Sequence, residues 1–243
     1  MANLTQLKML EKLNAFLLVD KPAGIAFSSV VKAVKRKFNL VKVGHGGSLD
    51  ACASGLMVLL INDANRFTQD IMGADRDYAG VMRLGFETNT CDIHGEAMVE
   101  EKGVEALPDI ATKEEAFRAM RGDIFLSEPR FCAVRREGSA QYEIADTGEH
   151  PPMLVHVWKF TAEQDGSDRR RCRFAVSATK GLIVRAFAAE FGRELGCGGV
   201  LESCRRTRVG KFRVEDAVPF AKLLETDIKD FAQCTMSISE ALR

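Results

Sequence analysis

The sequence predicts a mixed α/β (α+β) fold in a single catalytic-sized domain, and three observations carry that prediction. The runs "FLLVD" (16–20), "LMVLLI" (56–61), "DYAGVMRLG" (77–85), "MLVHVWKF" (153–160) and "RCRFAVSA" (171–178) have the length and the β-branched, aliphatic composition of strands. Stretches with apolar residues at helical spacing lie between them. No repeat or low-complexity linker divides the 243 residues, whose 46% hydrophobic content allows a sizeable core.

Taken in order, "FLLVD" ends at Lys21-Pro22 and the turn pair Ala23-Gly24. Ser28 or Ser29 is expected to cap a helix reaching about Phe38, with Val30, Val31, Val34 and Phe38 on one face. A glycine-rich loop, "VGHGGSLDACASG" (43–55), leads into "LMVLLI", and an amphipathic helix is expected near 63–72. Tyr78 stands at the entrance of the next strand, and 86–110 reads as loop. Thr112 and Glu115 have capping-box spacing for a helix to about Met120. Residues 123–152 lack a clear period and hold several prolines and glycines, as expected of a partly ordered excursion that serves binding. "MLVHVWKF" and "RCRFAVSA" are expected to pair, "GLIVRAFAAEFGREL" to form a helix stopped by "GCGG", and a strand near 211–214 and a helix from about 215 to close the chain.

Formal net charge is zero, which argues against a bulk polycation, yet basic residues cluster at 32–37, at Arg130, Arg135 and Arg136, at 169–173 and at Arg205, Arg206, Arg208 and Lys211. Convergence of these clusters on one face would suit a polyanion. The seven cysteines are odd in number and include no C-x-x-C pair, so they read as reduced, mostly buried small hydrophobes. The opening residues lack a signal-peptide pattern and no apolar run approaches a membrane span, which predicts a cytoplasmic protein.

The glycine-rich loop is the chemically suggestive stretch. Glycines permit positive φ and close approach, and successive N–H groups can form an anion-binding nest. Asp50 in such a loop is either a turn cap or a catalytic carboxylate. No Gly-Lys-Ser/Thr follows, so it is not a Walker loop, and the esterase-like "HGG" lacks a G-x-S-x-G elbow. The four histidines show no metal-ligand spacing, and "CDIH" (91–94) is a weak metal pattern.

Five stretches in order, "LLVDKPAGIAFSSVVKAVKRKF", "VGHGGSLDACASGLMVLLI", "DYAGVMRLGFETNTCDIHG", "GSAQYEIADTGE" and "ATKGLIVRAFAAEFGRELGCGGVLESCRRTRVGKF", make the chain resemble the bacterial tRNA pseudouridine synthases of the TruB family over roughly 16–218. The resemblance implies a pseudouridine synthase fold, with a central, largely antiparallel sheet flanked by helices and an active cleft across its middle. It implies isomerisation of uridine 55 in the TΨC loop of tRNA by base flipping, with no cofactor and no metal, by a protein expected to act as a monomer. Asp50 falls on the catalytic aspartate, Tyr78 on the tyrosine that stacks on the base and is implicated in proton removal, and Arg185 on the arginine that pairs with the carboxylate. His45, with Gly46 and Gly47, falls on the loop that holds flipped-out RNA, while Lys21 and Lys180 match structural or backbone-contacting positions. Arg205 and Arg206, in the last motif, are expected to contact RNA.

The chain departs from the family pattern at Ala51, Asn89, Asp146 and Ile183, where the family has proline, aspartate, arginine and tyrosine. Ile183 removes an aromatic wall, and Asp146 replaces an RNA-facing cation within the RNA-gripping insertion at 123–152. The catalytic domain is expected to span 1–226, with 227–243 a short tail in place of a full PUA domain and a weaker grip on tRNA as the consequence. The competing reading is a non-catalytic RNA-binding or tRNA-folding factor on the same scaffold; retention of Asp50, Tyr78 and Arg185 together disfavours it.

Overall fold

The computed structural model describes residues 10–99, 102–135 and 142–243, which divide into two compact units. The first is built from the chain up to Ala74 together with Arg206–Arg243, and the second from Asp75–Arg205.

In the first unit, β1 (Ala15–Lys21) is buried at almost every position, so both of its faces are covered, and its uninterrupted apolar run reflects that. Helix α1 (Phe27–Lys37) follows. Its N-cap is Ala26, without a side-chain cap, so Ser28 and Ser29 lie inside the first turn and do not cap it. Val30, Val34 and Phe38 are fully buried, while Val31 is only partly so. The short β2 (Val43–His45) pairs antiparallel with β3 (Ser54–Ile61), so the glycine-rich stretch begins as a strand rather than a loop. β3 also pairs antiparallel with all of β1, from Ala15↔Ile61 to Lys21↔Gly55. The helix expected near 63–72 is a 3₁₀ segment, Asn62–Phe67, running into α2 (Thr68–Gly73).

In the second unit, β4 (Arg76–Leu84) carries Tyr78 near its start, as expected. The 3₁₀ turn Ile110–Thr112 is capped by Asp109, and α3 (Glu114–Ala119) has Lys113 at its N-cap. The expected capping box is therefore not formed: the Thr112 hydroxyl donates to the Asp109 carbonyl instead. The excursion at 123–152 is more ordered than its composition suggests. β5 (Gly122–Leu126) is antiparallel to the later β8, and β6 (Phe131–Arg135) pairs with β7 (Tyr142–Asp146) as a separate hairpin. Residues 136–141, including Arg136, lie outside the described residues. β8 (Met153–Gln164) and β9 (Arg171–Ala178) pair antiparallel, and β9 pairs with β4 along its length. Helix α4 (Val184–Glu194) buries Phe187 and Phe191, and the Phe160 ring meets both edge-on with centroids 4.9 and 4.8 Å away.

β10 (Gly199–Val209) has no counterpart in the sequence reading. It holds four charged residues within seven, Glu202, Arg205, Arg206 and Arg208, and Arg206 occupies a buried position that alternation would assign to an apolar residue. The strand leaves the second unit after Arg205 and enters the first, where β11 (Phe212–Arg213) pairs back on it. β12 (Val218–Pro219) then adds to β1 in parallel, and α5 (Phe220–Glu225) follows. β13 (Met236–Ser237) pairs with the other end of the chain's first strand, and α6 (Ile238–Ala241) is held by a Ser237–Glu240 capping box. The final residues are thus integrated by strand pairing and by Phe231, whose ring stacks on Phe38 at 3.8 Å between centroids.

All seven cysteines are free thiols, three of them buried and four partly exposed, and no helix among the described residues is long and apolar enough to cross a membrane. Because Phe231 and Phe38 are both fully buried, Phe231→Ala is expected to lower the unfolding free energy by about 3–5 kcal/mol in urea titration. Wild-type stability in that variant would mean that the C-terminal return contributes nothing to the first unit.

Candidate active site

Asp50 is exposed on a loop whose backbone is held from within the first unit. The β2–β3 ladder continues past His45 through a bond from Gly46 N–H to the Val58 carbonyl, 2.8 Å. A Cβ on Gly44 would collide with the Asn65 side chain, and one on Gly46 with Ile71. These two glycines therefore serve the chain's own packing against the 62–73 segment. Gly47 is buried as well, at φ +132°, where a side chain would be strained.

Two buried cations anchor the loop. Arg206, 2% exposed, donates from Nε to the Leu56 carbonyl (2.8 Å), from Nη1 to Ser48 (2.7 Å) and from Nη2 to Gly47 (3.4 Å). An inward guanidinium spent on carbonyls is not an RNA-facing one, so the RNA contact expected of Arg206 does not match its placement. Lys21, fully buried at the end of β1, donates to the carbonyls of Pro22 (2.9 Å), Ile25 (2.8 Å) and Ala51 (3.4 Å). Of the structural and RNA-contacting roles expected of Lys21, a fully buried ammonium spent on its own chain's carbonyls fits the structural one and does not match an RNA contact. Gly24 N–H also donates to Ala51, and Ala53 N–H closes a turn onto the Asp50 carbonyl at 3.1 Å. Charges of this kind are tolerated inside a protein only when their donors are satisfied, so these carbonyls are held where they are by an energetic requirement.

His45 sits at the mouth of this loop, its ring 5.0 Å from Phe27 and edge-on to it. Its Nδ1 accepts from Gly47 N–H at 3.3 Å, which leaves the proton of the neutral ring on Nε2. Burial, followed by the nearby Arg206 charge, pushes its pKa below the usual histidine value.

The second unit carries the other nominated residues. Tyr78 is 6% exposed and opposite Val176 in the β4–β9 ladder. Arg185, buried in the first turn of α4, donates from Nη1 to the carbonyls of Thr90 (2.8 Å) and Phe131 (3.3 Å). The turn presenting Thr90 is knitted by Asp92, whose Oδ1 accepts from the Thr90 hydroxyl and from His94 N–H, both at 2.9 Å. "CDIH" is therefore loop architecture, and among the described residues no group of three or more His, Cys, Asp or Glu side chains is placed to hold a metal ion. The Thr90–Asp92 support of Arg185 escaped the sequence reading, although the "TNTCD" spacing is its visible trace.

Lys180 is exposed in the turn between β9 and α4, and Arg205 is half-buried on β10. Ile183, at the N-cap of α4, contributes no side-chain cap. Asp146 accepts from Arg130 at 3.1 Å, and that bond, with one from Gly148 N–H, holds its carboxyl below the usual aspartate range. The insertion thus keeps a cation, but a neutralised one. A cavity of about 370 Å³ in the second unit, between Phe125–Phe131, Thr88–Cys91 and α4, is lined by none of the nominated residues.

The family model described as the TruB family pseudouridylate synthase N-terminal domain matches residues 35–184. A relative from Aromatoleum aromaticum, tRNA pseudouridine synthase B, is 36% identical over 212 residues, covering 85% of this chain and 67% of that protein. The Aquifex aeolicus protein of the same name is 32% identical over 214 residues, covering 87% and 74%. Among solved structures, an archaeal box H/ACA sRNP Nop10–Cbf5 complex shares the fold at a TM-score of 0.66 and 22% identity over 97% of this chain and 63% of that one. An H/ACA RNP bound to a substrate RNA containing 2′-deoxyuridine does so at 0.67 and 22%, over 96% and 62%. The chain therefore spans somewhat under two thirds of the chains in those two structures.

With the His45 pKa lowered in the folded state, the unfolded chain binds the extra proton first as pH falls through about 6.5. His45 therefore destabilises the fold on acidification across the window between that value and its lower folded one. Wild type should lose more stability than His45→Gln between pH 7.5 and pH 5.5 in urea titrations; equal losses would show that the ring titrates normally.

Proposed function

The chain belongs to the TruB family of pseudouridylate synthases, and from that premise we propose that it converts the uridine at position 55 of the tRNA TΨC loop into pseudouridine, recognising the T-stem-loop. The observation that carries this reading is the exposed Asp50 on a loop pinned at Gly47, Ser48 and Ala51 by two buried cations, in a chain about one third identical over most of its length to tRNA pseudouridine synthase B. Such a carboxylate is held in place before substrate arrives, which is what positional catalysis requires.

The reaction is an isomerisation. The N1–C1′ bond breaks, the uracil turns, and C5 bonds to C1′; the proton lost from C5 is matched by one gained at N1. A carboxylate assists this either as a nucleophile or by relieving positive charge that develops at C1′. The base must leave its stack to be reached, and Tyr78 and Arg185 keep as proposals the roles that the motif match assigns them. His45, neutral at physiological pH, offers a hydrogen bond from Nε2 without a charge that would fix it to phosphate. Lys180 and Arg205 supply backbone cations, whereas Arg206 is withdrawn from that set.

The test is tritium release from a T-stem-loop RNA labelled at uridine C5. Wild type should release tritium, and Asp50→Asn should fall by about 10³-fold or more with RNA affinity unchanged. Tight RNA binding with no release from wild type would favour the RNA-binding-factor reading instead.

A further inference from the structure

We infer that Arg206 is the positioning residue of the Asp50 loop: its guanidinium sets where Asp50 is presented, and it does not touch RNA. This rests on the reaction proposed above. Three of its N–H groups, on Nε, Nη1 and Nη2, reach the carbonyls of Leu56, Ser48 and Gly47. Those carbonyls bracket Asp50 on both sides in sequence, so one planar group closes the 47–56 span across its base. The main chain of Arg206 packs closely against the same span: Gly55 is at φ +106°, and a Cβ there would collide with the Arg206 carbonyl. The side chain of one residue therefore bonds both ends of the span, and its backbone lies against one of them.

The choice of arginine follows from geometry. A guanidinium presents its donors in a fixed plane, so three acceptors bonded to it are fixed relative to one another. A lysine offers a point charge with rotatable donors, and gathers carbonyls without fixing their mutual angle. Lys21 shows the difference on the other flank, where the carbonyls of 22, 25 and 51 all converge on one nitrogen, which sets their distances from a point and not their angles in a plane. Arg206 also lies close enough to His45 to act on its charge state, which gives a reporter of the guanidinium independent of turnover.

Two variants test the inference, Arg206→Lys and Arg206→Gln, assayed by tritium release from labelled T-stem-loop RNA with kcat and KM separated. Because a shift of about 1 Å at a reacting group costs about 10²-fold, Arg206→Lys should lower kcat by about that factor with KM changed less than about twofold. A raised KM with unchanged kcat and a shallower salt dependence would overturn the inference in favour of an RNA contact. Unchanged kcat in a less stable Arg206→Lys protein would overturn it in favour of a purely structural role.

Backbone amide NMR of residues 47–51 and titration of the His45 ring give the readout that needs no activity. Arg206→Lys should shift those amides, and Arg206→Gln should raise the His45 pKa; should Arg206→Gln not fold, the amide shifts of Arg206→Lys stand alone. If wild type releases no tritium while these shifts appear, the proposed reaction fails and the loop clamp stands. If wild type is active and neither the amides nor kcat responds, the clamp fails and the reaction stands.

Discussion

A guanidinium buried to 2% exposure is an expensive group to leave incompletely bonded, and the Arg206 donors reach two carbonyls of the Asp50 loop and one of β3. Much of the first unit is arranged to make this possible. β10 must deliver Arg206 alongside β3, Gly55 must lack a side chain so that the two backbones can meet, and the β2–β3 ladder must end where the carbonyls of Gly47 and Ser48 turn toward the cation. Lys21 repeats the device at Ala51. A loop that would otherwise have many conformations is thus held by charge satisfaction, while its one carboxylate stays exposed to the outside.

The strands that were legible in the sequence are those whose environment is uniform. β1 from Ala15 to Val19 and β3 from Leu56 to Ile61 are apolar throughout because both faces are buried, and β8 and β9 alternate because one face is. β10 was illegible because its buried positions include Arg206, and a buried cation carries the hydrophobic-pattern signature of a surface. The two misplaced helix caps have a different origin. Ser28, Ser29 and Thr112 have the right chemistry, but the chain enters α1 and α3 one or more residues from where they could use it, and cap position is set by the preceding turn rather than by the capping residue.

At the site, motif order singled out Asp50, His45, Lys21 and Arg185, yet it could not tell inward from outward: Asp50 is exposed, whereas Lys21 and Arg185 are buried. Arg205 and Arg206 are adjacent in the same motif, and a strand turns neighbouring side chains to opposite faces, so only one of an Arg-Arg pair on a strand can face a ligand. That alternation was available from the sequence once a strand was recognised there. The glycines divide in the same way: Gly44 and Gly46 are demanded by Asn65 and Ile71, and Gly55 by Arg206, so the richness of the loop in glycine measures internal crowding more than access for a nucleotide.

Exposure of Asp50 has a consequence for how the proposed reaction would draw on electrostatics. A carboxylate in water interacts weakly with charge developing a few ångströms away, because the solvent screens it; the same pair shielded from water interacts several-fold more strongly. A loop that is rigid but wet is therefore preorganised in position and not yet in dielectric. The missing desolvation has to come with the substrate, through the flipped nucleotide and the RNA around it covering the carboxylate. On that argument a free nucleoside, which covers less, would reach the same carboxylate in the same geometry and still react slowly, and the contribution of the distant parts of the RNA would appear in kcat as well as in KM.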